Sequence, residues 1–596
     1  MTSDWRDLPF REIWCVDTKF YPGPGLSNGG REGDAITPLC LVAREMRSGR
    51  LVRLWQDEFG PKPPYSLDSD TLFVAYTNSA EFGFHIRLGW GCPASTIDPY
   101  VEFRHLTNDA RIKSGDREKG FYSLAGALRY FRLDEIDLKQ KDEMRNRIIQ
   151  GPPFTGIERD VLAYCQGDVD ALVRLVPRIV PTIRSLPHAL MRGQFMWCIA
   201  RMEGRGVSMD LGWLDRIRAR WEAVKVDVVT EMDRPFGVYE IVDGNAHWRN
   251  ERFEAFLQRS RISWPRSVDG RPDLRAETFE AMSKDNPSVD QLRELRSTLS
   301  KLRLNDLQVG TDGRNRTLLG AFGSKTSRNQ PGSSKYVFGP AKWIRFLISP
   351  PPGLALIHRD FCQQEIQIAA VVSGDEALLA ACADGDAYIG IAKALGFAPP
   401  DATKQTHGDV RKKFKTVVLG ILYGLGTRAL AARIGVSLFE AGEILARLRA
   451  RFRTFETFSA NVADRAGLHL EISNNWGWWM QCPPGTPRNT VRNYPVQSVA
   501  AEMMRVTCLL AERRGIEIVS PIHDAFVAQT SVTKIEEASE ALDRVMRDAS
   551  RVILRGYELQ TDKQIILPGD RFYDERGEKM WKTVTGLVTK LEARVA

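Results

Sequence analysis

The sequence predicts a multidomain protein of mixed α/β and α+β class, and three observations lead to this fold class. A chain of 596 residues exceeds what one hydrophobic core supports, so several domains are expected. Residues 1 to about 185 alternate short β-branched or aromatic runs with helical stretches, which is typical of an α/β domain. The remainder is mainly helical, apart from one strand that ends in an aspartate and a later β-rich patch.

The order of these elements suggests where the domains meet. The segment "SLPHAL", near 185–190, is the expected boundary, and the pattern after it is helical and charged to about 305. Residues 310–345 are rich in Gly, Ser, Arg and Lys, the composition of a loop laid along phosphates. A long helical region follows from 366 to about 470. The predicted N-terminal strands are "REIWCVD", "TPLCLVAREM", "LVRLWQD" and "TLFVAYT", and the helices are "SAEFGFHIRLGW", "SLAGALRYF" and "GIERDVLAYCQGDVDALVRLVPRIV".

Composition excludes several classes of protein. No segment approaches 18 uninterrupted apolar residues, and the N-terminus lacks the order of a signal peptide, so a cytoplasmic protein with no membrane partner is expected. The nine cysteines are scattered without a C-x-x-C pair, which indicates neither a zinc site nor a disulfide framework. The net charge of +8 fits a polyanionic partner but does not establish one.

Two aspartates at strand ends are the first candidates for catalysis. Asp360 ends the apolar strand "LALIHRD", and Glu365 follows on the next predicted helix. Asp524 lies in "SPIHDAFVA", which reads as a tight hairpin with the acid at its tip. Two carboxylates on adjacent strands suit a two-metal phosphoryl-transfer site, where cations about 4 Å apart contact the attacking and leaving oxygens.

A basic helix is the third candidate feature. In "DVRKKFKTVVLGILYGLG", Arg411, Lys415, Leu419 and Tyr423 are spaced four residues apart and therefore lie along one helix face. Such a face would bind a triphosphate while metal ions neutralise the developing charge. Each feature alone has an ordinary explanation as a turn, a helix cap or a solvated face, and it is their order along the chain that favours catalysis.

That order resembles the family A DNA polymerases, and the resemblance covers nearly the whole chain. It implies the right-hand fold, with a polymerase domain at 188–596 divided into thumb (about 211–310), palm (about 188–210, 311–375 and 470–596) and fingers (about 376–469). The similar segments are "RDFCQQEI" and "IHDA" in the palm, "RKKFKTVVLGILYG" in the fingers, and the DNA-contacting segments "TSRNQP" and "RNYPVQSVAAEMM".

The resemblance implies a role for each matching residue. Primer-template DNA and dNTPs are the implied partners, and two Mg²⁺ or Mn²⁺ ions are the implied cofactors. The implied residues are Asp360 and Asp524 as metal ligands, Glu365 as the steric gate against a ribose 2′-hydroxyl, Arg411 and Lys415 on the triphosphate, Tyr423 beside the nascent pair, Arg328, Asn493 and Gln497 on the template-primer, and His523 near the primer end.

Three positions depart from the family pattern. Leu419 replaces an aromatic residue on the fingers helix, so sugar discrimination is expected to differ from that of better-known members. Ala525 replaces an acid after His-Asp, which leaves two palm aspartates. Ser327 replaces the glycine of a Thr-Gly-Arg loop. None of these removes a residue that two-metal chemistry requires.

Residues 1–187 resemble the RNase H-like 3′-5′ exonuclease domain of the same family. Asp17, Glu81, Tyr164 and Asp168 match its acidic and tyrosine positions, but Lys19 stands where the Asp-x-Glu motif has glutamate. An ammonium beside divalent cations is strongly disfavoured, so the hypothesis is that proofreading is abolished or greatly weakened. Alternatively, Lys19 extends to solvent or is deprotonated and the three acids hold one metal. Whether Lys19 is natural or introduced stays open.

The preferred interpretation is a monomeric DNA-directed DNA polymerase from a phage, plasmid or other mobile element, acting in the host cytoplasm, with possible replication accessory proteins. No 5′-nuclease domain is expected before it. One alternative is a single-subunit RNA polymerase-like enzyme, which Glu365 argues against because such enzymes lack that gate. The other is a non-catalytic nucleic-acid-binding replication factor, which the joint presence of the catalytic residue types disfavours.

Overall fold

The structure is a computed structural model. It describes residues 4–23, 36–108, 120–134, 138–243, 245–267, 269–283, 286–300, 307–332, 335–339 and 341–595. Of the helices in these ranges, none combines the length and the hydropathy needed to span a lipid bilayer.

The N-terminal region is built on a five-stranded mixed sheet. Its strand order is β3-β2-β1-β4-β5, in which the first three strands are antiparallel and β4 and β5 run parallel to β1. The four strands predicted from the sequence are confirmed, whereas the short fifth strand was not predicted. The strands are β1 (Glu12–Tyr21), β2 (Thr37–Glu45), β3 (Leu51–Trp55), β4 (Thr71–Val74) and β5 (Ser95–Ile97).

In the part of this region that the structure describes, five helices accompany the sheet. The longest, α5, carries nonpolar residues at helical spacing and buries that stripe against β1 and β2. The three predicted helices are confirmed as α1, α3 and α5. The helices are α1 (Ser79–Leu88), α2 (Pro99–Leu106), α3 (Leu124–Tyr130), α4 (Leu138–Ile149) and α5 (Glu158–Ile179).

The long helix α6 (Leu186–Arg205) joins the N-terminal sheet to the rest of the chain. It begins at the predicted boundary and packs against α1 and β5. A Cβ on Gly193 would lie 2.2 Å from the carbonyl oxygen of Thr96, so only glycine permits this approach. Arg192 on α6 and Glu102 on α2 form a buried ion pair that contains two hydrogen bonds. The two parts of the chain are therefore packed closely against each other.

Residues 207–300 form a helical segment with a small core of its own. Phe236, Phe253 and Trp264 belong to this core, which the hairpin β7–β8 partly covers. The sequence predicted the helices but not the hairpin, and the predicted continuation of α10 to about 305 lies outside the described residues. The elements are β6 (Val207–Ser208), α7 (Leu211–Met232), β7 (Tyr239–Val242), β8 (Asn245–Trp248), α8 (Asn250–Arg259), α9 (Ala276–Ser283) and α10 (Pro287–Ser300).

A largely irregular segment follows, as its composition predicted. It contains β9 (Arg314–Asn315), which pairs with β6, and a 3-10 helix at Lys342–Leu347. Residues 322–330 form the loop that bears Arg328, hereafter the Arg328 loop. Ser327 in this loop has a φ of 63°, a left-handed conformation that glycine adopts most easily.

A four-stranded antiparallel sheet of order β13-β14-β10-β15 lies at the centre of the C-terminal half. The predicted strand, the long helical region and the β-rich patch are all confirmed. The strands are β10 (Leu354–Phe361), β11 (Glu471–Ser473), β12 (Trp479–Gln481), β13 (Glu517–Ile522), β14 (Ala525–Ser531) and β15 (Thr561–Ile566). The helices are α11 (Gln364–Ser373), α12 (Glu376–Cys382), α13 (Ala387–Ala394), α14 (Gly408–Leu422), α15 (Thr427–Ile434), α16 (Leu438–Arg451), α17 (Arg453–His469), α18 (Arg488–Arg513), α19 (Ile535–Ile553) and α20 (Glu575–Val595).

Candidate active sites

Asp360 and Asp524 come together at one end of the central sheet. Asp360 is near the end of β10, and Asp524 lies in the two-residue turn between β13 and β14. The backbone N–H of Phe361 donates to the carbonyl oxygen of Asp524 at 3.3 Å. His523 precedes Asp524 with a φ of 57° and is exposed, whereas Asp524 itself is half-buried rather than extended from the tip. The predicted aspartate pair is thus adjacent.

The electrostatics of this pair favour binding of a cation. Burial, together with the charges of Asp524 and Asp562, raises the pKa of Asp360 to about 7. Burial also raises the pKa of Asp524. The positive charge of Lys415 on α14 opposes both increases. A cation bound beside Asp360 and Asp524 would lower both pKa values and so favour the ionised carboxylates.

A third aspartate beside the pair escaped the sequence analysis. Asp562 on β15 is the direct cross-strand neighbour of Asp360 on β10. The expectation that the palm offers only two aspartates was therefore incomplete, although Ala525 does lack the acid usual at its position. Asp562 lies 202 residues after Asp360 in the sequence, and only strand pairing brings the two together. The spacing of local motifs therefore contains no signal for Asp562.

Glu365, Tyr423 and Gln497 form a hydrogen-bonded cluster near the aspartates. The Tyr423 hydroxyl donates to Glu365 at 3.2 Å, and the Gln497 amide donates to the Tyr423 oxygen at 2.6 Å and to Glu365 at 3.2 Å. Asn493 also hydrogen-bonds Tyr423. A guanidinium nitrogen of Arg328 lies 3.6 Å from Glu365. Five predicted site residues from four separate segments thus converge at this cluster.

The two predicted phosphate-binding cations on α14 have different surroundings. Lys415 is exposed on the helix, whereas Arg411 donates through Nε to Asp386 at 2.7 Å. Asp386 also caps the N-terminus of α13. Tyr423 is the C-terminal cap of α14 rather than part of its last turn. Arg411 therefore has a carboxylate partner that the sequence did not reveal.

The predicted exonuclease residues also come together, with Lys19 at their centre. Its ammonium nitrogen lies 2.7 Å from carboxylate oxygens of both Asp17 and Asp168. The same nitrogen lies 4.2 Å from the ring centroid of Tyr164, and the Lys141 ammonium lies 3.3 Å from Asp168. Lys19 therefore neither extends to solvent nor stands apart from the acids.

Charge balance keeps Lys19 protonated. Burial alone would lower the pKa of Lys19, but the charges of Asp168 and Asp17 outweigh burial and raise it well above the usual value. Burial would likewise raise the pKa of Asp168, yet Lys19 and Lys141 hold it below its usual value. Burial and the charge of Asp17 raise the pKa of Glu81, which favours its neutral form. The raised pKa of Lys19 argues against the alternative of a deprotonated lysine.

Part of the chain is similar to proteins of known family. Residues 340–562 match the family model described as DNA polymerase family A. The DNA polymerase I of Chloroflexus aurantiacus is 26% identical over 304 residues, which cover 47% of this chain and 32% of that protein. The DNA polymerase of Mycobacterium phage D29 is 22% identical over 428 residues, or 68% of each chain. The chain thus spans from about a third to about two thirds of the length of these relatives.

A solved structure extends the likeness to nearly the whole fold. It is the polymerase domain of Pol1 from M. smegmatis in complex with DNA primer-template and dNTP. The TM-score is 0.66 at 17% identity, and the match covers 93% of this chain and 95% of that one. At this identity the likeness establishes a shared fold. Residues 340–562 of this chain therefore match the DNA polymerase family A model, within a chain whose fold is similar to that of the Pol1 polymerase domain.

Proposed function

We propose that this chain is a template-directed DNA polymerase that adds dNTPs to a primer 3′-hydroxyl. The observation that carries the proposal is the convergence of the aspartate pair, the Glu365 cluster and Lys415 at one end of the central sheet. A binding protein would not need buried carboxylates beside a cationic helix, whereas phosphoryl transfer needs both. The division into a 1–187 exonuclease-like domain and a 188–596 polymerase domain is part of this proposal.

The residues present fit a divalent cation. Within the described residues, Oδ1 of Asp360 is buried and accepts no hydrogen bond, so this oxygen remains able to bind a cation. No three His, Cys, Asp or Glu side chains in the described ranges are grouped so as to hold a metal ion alone. Asp360 and Asp524 would hold Mg²⁺ or Mn²⁺ together with substrate oxygens, as Mg²⁺ commonly binds. Bound there, the ions would supply Lewis-acid stabilisation of the transferring phosphoryl group.

The other side chains have separate tasks in this proposal. Lys415 and Arg411 bind the triphosphate, and Arg411 must exchange or share its contact with Asp386 to do so. Glu365 excludes a ribose 2′-hydroxyl, since Tyr423 and Gln497 fix its carboxylate in position. Arg328, Asn493, Gln497 and His523 contact the template-primer, with His523 near the primer end.

Templated incorporation tests the proposal directly. A labelled primer annealed to four templates that differ in the first unpaired base should receive only the complementary dNTP. Asp360→Asn and Asp524→Asn should each lower the rate by at least about 100-fold, since the carboxylate charge is lost with little change in shape. Asp401→Asn, at an exposed loop position, is the matched control. Untemplated addition, or full activity of both site variants, would refute the proposal.

We further propose that 3′-5′ proofreading is abolished or greatly weakened in this chain. The supporting observation is the Lys19 ammonium between Asp17 and Asp168, where it occupies the space that a divalent ion would need. Two unit charges 4 Å apart interact by about 4 kcal/mol at an effective dielectric of 20, and a divalent ion doubles this repulsion. A metal ion can therefore bind there only if the ammonium leaves.

Degradation of a 3′-labelled single strand with Mg²⁺ or Mn²⁺ tests this second proposal. Wild type should release little label, and Lys19→Glu should release it faster because the substitution supplies a carboxylate ligand. Lys19→Gln removes the charge without adding that ligand, and Lys141→Gln is the matched control at the second lysine. Fast degradation by wild type that Lys19→Glu does not increase would refute the proposal.

A further inference from the structure

Side chains of the exonuclease-like domain hydrogen-bond to backbone carbonyl groups of the Arg328 loop. Arg104 on α2 donates through Nε to the carbonyl oxygen of Phe322 at 2.9 Å, and through Nη2 to that of Gly323 at 2.7 Å. Its guanidinium lies over the ring of Tyr122 at 4.1 Å, which keeps the side chain in place. A side chain of the N-terminal domain thus fixes two peptide groups near Arg328.

Asn108, two residues after α2, makes a second bridge. Its amide nitrogen donates to the carbonyl oxygens of Lys325 at 2.7 Å and Trp479 at 2.9 Å. The backbone carbonyl oxygen of Asn108 accepts a hydrogen bond from the backbone N–H of Gln481 at 3.0 Å. Asn108 is only 6% exposed, so these bonds are made away from water and are costly to lose.

The residues next to these contacts are packed together by a ring stack, a hydrogen bond and a buried ion pair. His105, between Arg104 and Asn108, stacks on Trp478 with ring centroids 4.5 Å apart and an interplanar angle of 13°. The Trp478 indole N–H donates to the carbonyl oxygen of Lys325 at 2.9 Å, the same oxygen that Asn108 contacts. Helix α2 is in turn fixed to α6 by the buried ion pair between Glu102 and Arg192. The Arg328 loop therefore packs against α2 and Trp478.

The polymerase domain holds the other side of the loop. Arg505 on α18 is fully buried and donates to the carbonyl oxygen of Ser327 at 2.9 Å and to its hydroxyl at 2.7 Å. Ser327 is thereby kept in its left-handed conformation immediately before Arg328. Contacts from both domains thus hold the stretch of backbone that precedes Arg328.

We propose that Arg104 and Asn108 are positioning residues for DNA binding by the polymerase domain. In this role the exonuclease-like domain braces the Arg328 loop, so that the Arg328 guanidinium is preorganised toward the template-primer and Glu365. The role rests on the proposed polymerase function and is independent of the blocked metal site around Lys19. Preorganisation of a binding side chain strengthens binding by lowering its ordering cost.

Hydrogen exchange in DNA-free protein tests the bracing itself. Arg104→Ala and Asn108→Ala should speed exchange in peptides that cover residues 320–332, while peptides from α19 stay unchanged. Arg53→Ala is the matched control, because Arg53 is exposed and contacts Gln166 within its own domain. Unchanged exchange of the loop in both variants would refute the bracing, whether or not the protein is a polymerase.

A double-mutant cycle with Arg328 tests the consequence for DNA. Arg104→Ala should weaken primer-template binding, measured by fluorescence anisotropy, by about tenfold in the wild-type background. In an Arg328→Ala background the same substitution should have little further effect, because both act through one guanidinium. Arg104→Lys retains one donor and should recover part of the affinity. Equal effects in both backgrounds would mean that Arg104 acts independently of Arg328, which overturns the proposal.

Steady-state extension separates this proposal from the broader one. Arg104→Ala should raise the KM for primer-template and leave kcat at saturating DNA and the KM for dNTP near their wild-type values. A fall in kcat with an unchanged KM for DNA contradicts positioning by Arg104. If wild type does not extend primers at all, the polymerase proposal fails, while hydrogen exchange still decides whether the loop is braced.

Discussion

Lys19 donates a hydrogen bond to Asp168 at 2.7 Å across the N-terminal domain, joining a strand to the helix that packs on it. The same ammonium reaches Asp17 at an equal distance. A positive charge thereby lies between the two acids that we propose would otherwise hold a metal ion. This pairing has consequences that can be measured.

Lys19→Met should make the N-terminal domain less stable and newly responsive to metal. Removing one partner of a buried ion pair leaves an uncompensated charge and typically costs about 3–5 kcal/mol. Mg²⁺ or Mn²⁺ should then raise the melting temperature of the variant by binding only the folded state, with little effect on wild type. Thermal unfolding with and without metal measures both effects. Lys141→Met is the control, and a wild-type response as large as that of Lys19→Met would contradict the prediction.

Glu365→Ala should reduce discrimination against ribonucleotides. The carboxylate is held by Tyr423 and Gln497, so its removal opens the space for a 2′-hydroxyl. We expect a fall of at least about tenfold in the ratio of kcat/KM for dNTP over rNTP, equivalent to about 1.4 kcal/mol. Tyr423→Phe should give a smaller fall. Wild-type incorporation of ribonucleotides as fast as deoxynucleotides would instead favour an RNA polymerase-like enzyme.

Ser327 carries a measurable backbone strain. Ser327→Ala and Ser327→Gly both remove the hydroxyl that accepts from Arg505, but only alanine keeps a Cβ in the left-handed conformation. Ser327→Ala should therefore be less stable than Ser327→Gly by about 1 kcal/mol. Denaturant unfolding measures the difference. Ser324 is the control, because it lies in the same loop but has no positive φ. There the alanine variant should be more stable than the glycine variant. If alanine is more stable than glycine at Ser327 as well, Ser327 is not strained.

His105 should make stability fall in mild acid. Burial lowers the pKa of His105 to about 4, while Glu102, held by Arg192, keeps its pKa near 2 and stays ionised. Between pH 6.5 and 4 the unfolded chain binds a proton that folded His105 rejects, so stability decreases as pH falls, by about 3 kcal/mol at most. The urea midpoint at pH 7 and pH 4.5 should therefore change less in His105→Phe than in wild type. His247→Phe, at an exposed position, should behave like wild type.

The fold was predictable where the sequence pattern is periodic and long. The strands around Asp17 and Asp360 and the helix that carries Lys415 have apolar residues at strand or helix spacing, and all were found as predicted. The three-residue strand β5 and the hairpin β7–β8 were missed. Strands this short contain too few alternations to stand out, and their pairing partners decide whether they form.

The sequence named candidate site residues, but it did not reveal all the contacts that surround them. Motif order brought together Glu365, Tyr423 and Gln497, and their hydrogen bonds agree with that grouping. Asp562 and Asp386 were missed because strand pairing and a helix cap bring them to the site from distant sequence positions. Lys19 was identified as decisive, yet only the three-dimensional distances establish that its ammonium lies between the acids.

One gel with a 5′-labelled primer on a longer template tests the central claim most directly, since it measures extension and 3′ degradation together. Wild type with Mg²⁺ and dNTPs should lengthen the primer, and without dNTPs it should leave the primer intact. Asp524→Asn should neither lengthen nor shorten the primer, and Lys19→Glu should lengthen the primer with dNTPs and shorten it without them. Extension by Asp524→Asn at the wild-type rate, or no extension by wild type that binds the DNA, would contradict a polymerase built on Asp360 and Asp524.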